Sequence, residues 1–176
     1  MTSNFPIIDT TQDEFNASNQ GNYRDMWSEI IIQAPPAKVR AVFLNFETRP
    51  SWDPFYTKIE LVKGGQLDDI TSKQSLSLAV NPKCDGGKGF VVPFHVHISN
   101  NDQTGIVWGI NFWNGCLFLV DHVHLFQPLE GGSATRLVNY ERQAGLMRYL
   151  TNAKTYTRAF QICNEALKAK CEEEME

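Results

Sequence analysis

Ile30, Ile31 and Ile32 form a β-branched run that stops at Pro35-Pro36, where a different periodicity begins. β-branched side chains suit a pleated strand; proline forbids its continuation yet fits the first turn of a helix. Val39, Val42, Phe43 and Phe46 then recur at i, i+3, i+4 and i+7, the single apolar stripe of an amphipathic helix. Pro50 and Pro54 are expected to end that helix and to tie down the Trp-Asp-Pro-Phe turn, with Asp53 as a cap or turn residue.

Downstream the period becomes two. Residues 57–63 predict a strand ended by Gly64-Gly65, and in 74–80 Leu76, Leu78 and Val80 alternate with Ser75, Ser77 and Ala79. After a loop marked by Asn81-Pro82 and Gly86-Gly87, residues 90–99 read as one strand. Phe94, Val96 and Ile98 lie on one face of it, His95 and His97 on the other. The next strand is 106–113, and Asn114-Gly115 predicts a two-residue hairpin into 116–126. The last strand, 134–143, is closed by Gly145. From Leu146 the period lengthens: Leu146, Leu150, Ala153, Phe160, Cys163 and Leu167, bordered by Tyr149 and Tyr156, predict one long helix. Glu172, Glu173 and Glu174 oppose its dipole and predict a frayed end. Hairpin-linked strands with helices kept to one side indicate an α+β domain with an antiparallel sheet.

Two segments resemble a known family. The opening stretch is similar to the pattern I-x-A-P-x-x-x-V-W followed by W-x-P-F of the START-like, or SRPBCC, superfamily. Ile32, Ala34, Pro35, Val39, Trp52, Pro54 and Phe55 match it, while Arg40 stands where the family often has Trp or Phe. HLFQPLEGGSATRLVNYERQAG resembles the family hairpin H-x-F-x-L-x-P…GG-T-R-x-x-x-x-E-x-x-x-G, with Ser133-Ala134 between the Gly pair and Thr-Arg. The resemblance covers residues 27–170. It implies the helix-grip fold of the birch-pollen allergen and the bacterial polyketide cyclases. That fold is a curved antiparallel sheet of about seven strands around a long C-terminal helix, with short helices after the first strand. It also implies an apolar cavity between sheet and helix.

Composition narrows the setting. A chain of 176 residues suits one well-cored domain, taken as 26–176, preceded by a polar extension over 1–25. Phe5, Ile7, Ile8 and Phe15 are the extension's only anchors. A net charge of −4 argues against a nucleic-acid partner, and the basic residues Lys168 and Lys170 complement a helix dipole. The first residues lack a basic region followed by an apolar run, and no segment reaches bilayer-spanning length. The expectation is a cytoplasmic protein without membrane insertion. Cys84, Cys116, Cys163 and Cys171 show no metal or disulfide spacing and read as reduced thiols.

Aligned on Pro128, the resemblance turns Phe118, Val120, His122, His124 and Phe126 of one strand inward, with Thr135, Leu137, Asn139 and Glu141 of the next. His122, His124, Asn139 and Glu141 would then form a polar cluster on an apolar wall. One reading makes His122 or His124 the proton-transfer group, Glu141 its partner or second base, and Asn139 a donor to a substrate oxygen. The other is that these groups bond one another and only shape the pocket. The expected lining is Trp52, Phe55, Leu76, Leu78, Phe94, Val96, Trp108, Ile110, Phe118, Phe126, Leu137, Tyr149, Ala153, Tyr156 and Phe160. The parity separates His95 and His97 from His122 and His124, so neither His-Val-His pair is assigned a metal. Val123 and Leu125 would be exposed on the outer face and point to a homodimer contact. Two functions stand: a cofactor-independent polyketide cyclase or dehydratase acting on an apolar small molecule, or a non-catalytic carrier or sensor of a hydrophobic ligand or lipid.

Overall fold

The computed structural model describes residues 11–19, 21, 23–62 and 74–173. The described chain runs α1 (Gln12–Ala17), β1 (Arg24–Ile32), α2 (Pro36–Leu44), β2 (Tyr56–Leu61), β3 (Ser75–Val80), β4 (Phe90–Val91), β5 (Val96–Asn101), β6 (Gly105–Phe112), β7 (Phe118–Leu129), β8 (Ala134–Ala144) and α3 (Ala153–Glu173). The strands form one antiparallel sheet in the order β1-β8-β7-β6-β5-β3-β2, with the short β4 paired to β3. α2 and α3 pack together, α3 lying chiefly along β1, and the main core fills the space between helices and sheet. This is the α+β helix-grip architecture. Among the described residues no helix is long and apolar enough to cross a membrane.

Four local expectations are corrected. First, α2 stops at Leu44, where Asn45 leaves helical geometry with ψ 75°. Phe46 is therefore buried from beyond the helix, and Pro50 lies in a separate turn, Arg49–Ser51. Second, residues 90–99 are not one strand, because Pro93 has no N–H to give the ladder and the segment splits into β4 and β5. Third, β6 and β7 are joined by residues 113–117 rather than by a two-residue turn, since Phe112 pairs with Phe118. Trp113, Asn114 and Gly115 take φ of 52°, 52° and 80° to turn the chain there. Fourth, the long helix begins at Ala153: Asn152 Oδ1 accepts from Thr155 N at 3.2 Å and acts as its cap. Leu146–Leu150 is a separate turn, which leaves Leu146 and Leu150 67% and 81% exposed.

The far end of α3 is held rather than frayed through Glu173. Glu172 Oε1 accepts from Gln33 N at 2.9 Å, and Lys168 Nζ donates to Ile31 O at 2.9 Å. Glu174 and the Gly64-Gly65 turn lie outside the described residues, as do Phe5, Ile7 and Ile8.

The outer sheet face carries the largest correction. Val123 and Leu125 are 2% and 6% exposed, buried in a second core with Phe15, Trp27, Val107, Val138 and Tyr140. The chain covers this face itself. Thr11 and Glu14 form a reciprocal capping box that starts α1, and α1 lowers Phe15 onto Trp27 and Tyr140, with ring centroids 5.2 and 4.8 Å away. Arg142 fastens it, donating to Phe15 O, Ser18 Oγ and the Asp25 carboxylate at 3.1, 2.9 and 2.7 Å. The apolar surface expected to make a homodimer contact is thus already covered.

Phe15→Ala should lower stability by about 3 kcal/mol, the usual cost of emptying an aromatic core site. Urea unfolding followed by tryptophan fluorescence checks this. An unchanged midpoint would show that α1 lies on the sheet without stabilising it.

Candidate active site in the sheet–helix cavity

A cavity of about 310 Å³ opens between the sheet and the N-terminal end of α3. Its sheet side is Trp108, Ile110, Phe118, Val120 and His122, on alternate positions of β6 and β7. Leu78, Val80 and the segment from Phe90 to Val96 form a second wall, and Phe55 and Tyr56 a third. Met147, Leu150, Thr151 and Tyr156 complete it beside α3. Gly109 lets β6 and β7 approach closely here, since a Cβ on it would meet Val120 O at 2.0 Å.

Of the residues expected to line the cavity, Phe55, Leu78, Phe94, Val96, Trp108, Ile110, Phe118 and Tyr156 do so, together with His122 and Glu141. Leu76, Phe126, Leu137 and Phe160 are instead buried in the packed core and do not line this cavity. Trp52 and Ala153 pack against that core from its edge, and Tyr149 is 63% exposed on the turn before α3. His124 is buried behind the wall, its ring 4.5 Å from that of Phe43 and 4.9 Å from that of Trp108. Sequence reasoning turned Val120 inward without assigning it to the lining, and missed Val80 and Gln143, although each shares the parity of an assigned neighbour. It also missed Tyr56, Phe90, Val92, Pro93, Gly109, Met147, Leu150 and Thr151, most of which lie where no period operates.

The polar groups form one chain of hydrogen bonds. β7 and β8 set His122 opposite Glu141 and His124 opposite Asn139. Asn164 Nδ2 on α3 donates to Ser28 Oγ at 3.0 Å, and Asn139 Nδ2 donates to Asn164 Oδ1 at 3.2 Å. That leaves Asn139 Oδ1, an acceptor, 2.7 Å from His122 Nε2, so a neutral His122 presents Nε2–H to it. His122 Nδ1 is then an acceptor, 3.3 Å from Glu141 Oε2. Glu141 Oε1 accepts from Gln143 Nε2 at 2.5 Å, and Gln143 Oε1 is buried without a partner among the described residues.

Burial decides the charge states. It pulls His122 down to about 3, the charge of Arg49 helping and the Asn139 bond opposing. His124 is held well below its usual value by burial, then by His122 and Arg49. Glu141 is pushed up to about 7 by burial and by the Asp121 charge, against the bond from Gln143. The His122–Glu141 contact is therefore no ion pair near neutrality. It is a 3.3 Å contact between a neutral imidazole and a carboxyl that is protonated below about pH 7, and the carboxyl sits where it can give or take a proton near that pH. Tyr156, raised to about 12 by burial and by Glu141, stays a neutral phenol.

Beneath the aromatic wall lies a charge pair the sequence did not reveal. Arg49 and Asp53 are both buried and joined at 2.8 Å, with the guanidinium 4.0 Å from the Phe43 ring centroid and 4.4 Å from that of Tyr56. Asp53 does cap its turn, accepting from Phe55 N and Tyr56 N at 3.0 and 3.3 Å, and it also neutralises this cation. The i,i+4 Arg–Asp spacing around Pro50 was the available signal. Among the described residues no group of three or more His, Cys, Asp or Glu side chains could hold a metal ion.

A family model described as "Polyketide cyclase / dehydrase and lipid transport" matches residues 25–172. No curated protein matches the chain. Among solved structures, a START superfamily protein from Mycobacterium smegmatis is similar with a TM-score of 0.62 and 17% identity, covering 85% of this chain and 97% of that one. The Zhui aromatase/cyclase from a Streptomyces species has a TM-score of 0.59 and 14% identity over 88% of this chain and 96% of its own. Ara h 8.0201 gives 0.60 and 15% over 86% and 99%. At such identities the likeness carries the helix-grip fold alone.

The charge states predict a pH signature. Because folding raises Glu141 from 4.5 to about 7, its stabilising contribution is full below pH 4.5 and is lost as pH rises towards 7. His122, lowered from 6.5 to about 3, contributes the opposite slope between those values. Glu141→Gln removes only the first effect. Between pH 4.5 and 8 its stability should therefore gain on wild type by roughly 3 kcal/mol. Urea midpoints measured across that range check it; a gap that does not change with pH would mean an ordinary carboxyl.

Proposed function

The chain belongs to the polyketide cyclase / dehydrase and lipid transport family, and on that premise we propose that it is a cofactor-independent enzyme promoting ring closure or dehydration of an apolar small molecule held in the cavity. The observation that carries this reading is the Glu141 carboxyl. It lines a largely apolar cavity, titrates near 7, and is held at one oxygen by a hydrogen bond from Gln143 Nε2 and at the other by contact with His122 Nδ1.

The chemistry follows from those contacts. Ionised Glu141 takes a proton from carbon beside a carbonyl of the bound chain. Protonated, it returns one to the oxygen that leaves as water. His122, neutral through the physiological range, faces the carboxyl with its Nδ1 lone pair and is anchored through Nε2 to Asn139, so the proton stays on Glu141 between these steps. Asn139 is thus a positioning residue rather than a donor to substrate, being bonded on both sides of its amide. The aromatic wall supplies the other half of catalysis, folding a flexible chain so that its reacting carbons meet. The neutral Tyr156 hydroxyl stands at the same cavity as a further donor.

A second reading, a carrier or sensor of a hydrophobic ligand, is favoured by one observation. The relay continues through Asn139 and Asn164 to Ser28, tying sheet to helix in the core rather than ending on a ligand. In that case the polar chain is structural, and the cavity needs only volume.

Intramolecular aldol closure of a linear diketone, followed by the absorbance of the enone formed, separates the two. Wild type should accelerate closure with an apparent pKa about 7. Glu141→Gln should lose on the order of 100-fold or more of that rate while still binding a hydrophobic dye. Wild-type closure at the buffer rate, with dye binding retained, would replace the enzyme by the carrier.

A further inference from the structure

The large apolar side chains left open to solvent gather at one end of the molecule. Among the described residues there are seven, and six of them are Phe90, Val91, Trp113, Leu146, Tyr149 and Leu150, each 50 to 81% exposed. They belong to three connections, from β3 to β5, from β6 to β7 and from β8 to α3. Phe90 and Leu150 both line the cavity while standing open to solvent, so they mark its mouth. Leu146 N and Met147 N donate to Cys116 O and Leu117 O at 3.2 and 2.9 Å, which lays the turn before α3 on the β6–β7 connection. Trp113 stacks on Phe112 with ring centroids 6.2 Å apart, and Phe112 lies 4.8 Å from Phe94 of the cavity wall. The three connections thus form one apolar rim. A patch of that kind marks an interaction site.

Charge says what the rim fits. Residues 86–101, 103–120 and 143–164 contain Lys88, Arg148, Lys154 and Arg158 and no Asp or Glu, in a chain whose net charge is −4. Asp85, just before the first of these segments, is bonded within its own turn by Asn81 Nδ2 and Gly87 N at 2.9 and 3.0 Å. The Arg148 guanidinium lies 4.4 Å from the Tyr149 ring centroid and donates to Tyr149 Oη at 2.6 Å, which sets a cation beside an exposed ring. Trp and Tyr favour the headgroup level of a bilayer, aliphatic side chains the acyl boundary beneath it, and Lys and Arg the charge of anionic lipids. A second copy of this chain, docked on the same rim by a two-fold axis, would set these cations against one another.

We propose that the rim of the cavity mouth docks on the surface of an anionic lipid bilayer. Trp113, Leu146 and Leu150 then face the acyl boundary, Lys88, Arg148 and Lys154 face the lipid phosphates and carboxylates, and the cavity opens onto the phase in which an apolar ligand dissolves. Among the described residues no helix can cross a membrane, so the contact is peripheral. It gives the apolar ligand a path that avoids water, and it does so whether the cavity serves catalysis or carriage. The docking surface therefore stands apart from the proposed chemistry of Glu141.

The test uses the full-length protein with vesicles of phosphatidylcholine alone or with about a third phosphatidylserine. Sedimentation should recover several times more protein on the anionic vesicles, and added salt should release it. Tryptophan emission should shift to the blue on binding, and Trp113→Phe should lose that shift. Lys154→Glu should weaken binding about fivefold or more. Leu146→Ser should weaken it several-fold, whereas Ile31→Ser should leave it unchanged, since Ile31 is an exposed apolar residue of β1 paired with Arg136, away from the mouth. Urea midpoints close to wild type show that each variant is folded. Equal recovery on neutral and anionic vesicles, or none on either, overturns the proposal, as does a loss in Ile31→Ser equal to that in Leu146→Ser. A dimer that Leu146→Ser dissolves, without vesicle binding, assigns the rim to a second copy of the chain instead. Failure on vesicles leaves the lipid-free ring-closure assay to decide the proposed function on its own.

Discussion

The register of β7 on β8 governs the rest of the structure. A slip of one residue would turn His122, Asn139 and Glu141 away from the cavity and bring Val123, Val138 and Tyr140 into it. An antiparallel pair with one solvated face fixes its register only weakly from the outside. Here both faces are dry. Inside, the polar relay is satisfied only when His122 reaches both Asn139 and Glu141. Outside, Phe15 of α1 seals Val123, Leu125 and Tyr140, and Arg142 fastens α1 to the sheet. The segment that reads as a polar extension thus helps to hold the site from the opposite side of the sheet.

Electrostatics gives the interior its second constraint. Arg49 is a permanent positive charge enclosed by Phe43, Tyr56 and Trp108, tolerable because Asp53 matches it at 2.8 Å. Its field adds to burial in keeping both inward histidines neutral. Were His122 charged, Glu141 would be drawn down into an ion pair and lose its proton far below neutrality. With His122 neutral, the carboxyl feels mainly its burial and titrates near 7. The cation below the wall and the carboxyl upon it are therefore linked through the charge state of the imidazole between them.

Much of the fold was legible because its elements carry clean periods. The Ile30–Ile32 run, the double proline, and the alternation in β3, β7 and β8 reappear within a few residues of their expected places. The failures lie where a single residue overrules a period. Pro93 cuts one strand in two, and Asn152 starts α3 well after the apolar repeat at Leu146 suggests. The polar members of the site were legible by parity, which sets direction but not depth. His124, Leu137 and Phe126 point inward as expected, yet packing with Phe43 and Trp108 fills the space before them. Depth depends on how α2 and α3 close on the sheet, and no local pattern encodes that.

The relay and the grip of the helix share the same atoms. Asn164 belongs to α3, Asn139 to β8 and Ser28 to β1, so the chain orienting His122 is also a polar seam between helix and sheet. A seam of neutral amides contributes about 1 kcal/mol per bond, but an orphaned member would cost more than a bond returns. Loss of any link therefore loosens α3 and frees the imidazole together. For this reason a decline in activity or binding after substitution at Asn139 or Asn164 cannot by itself distinguish chemistry from grip. Glu141 is different: it stands at the cavity end of the chain, bonded to no helix residue among those described, and its replacement by Gln keeps shape while removing the proton. That position makes the carboxyl, and not the amides, the group on which a catalytic reading of this cavity stands or falls.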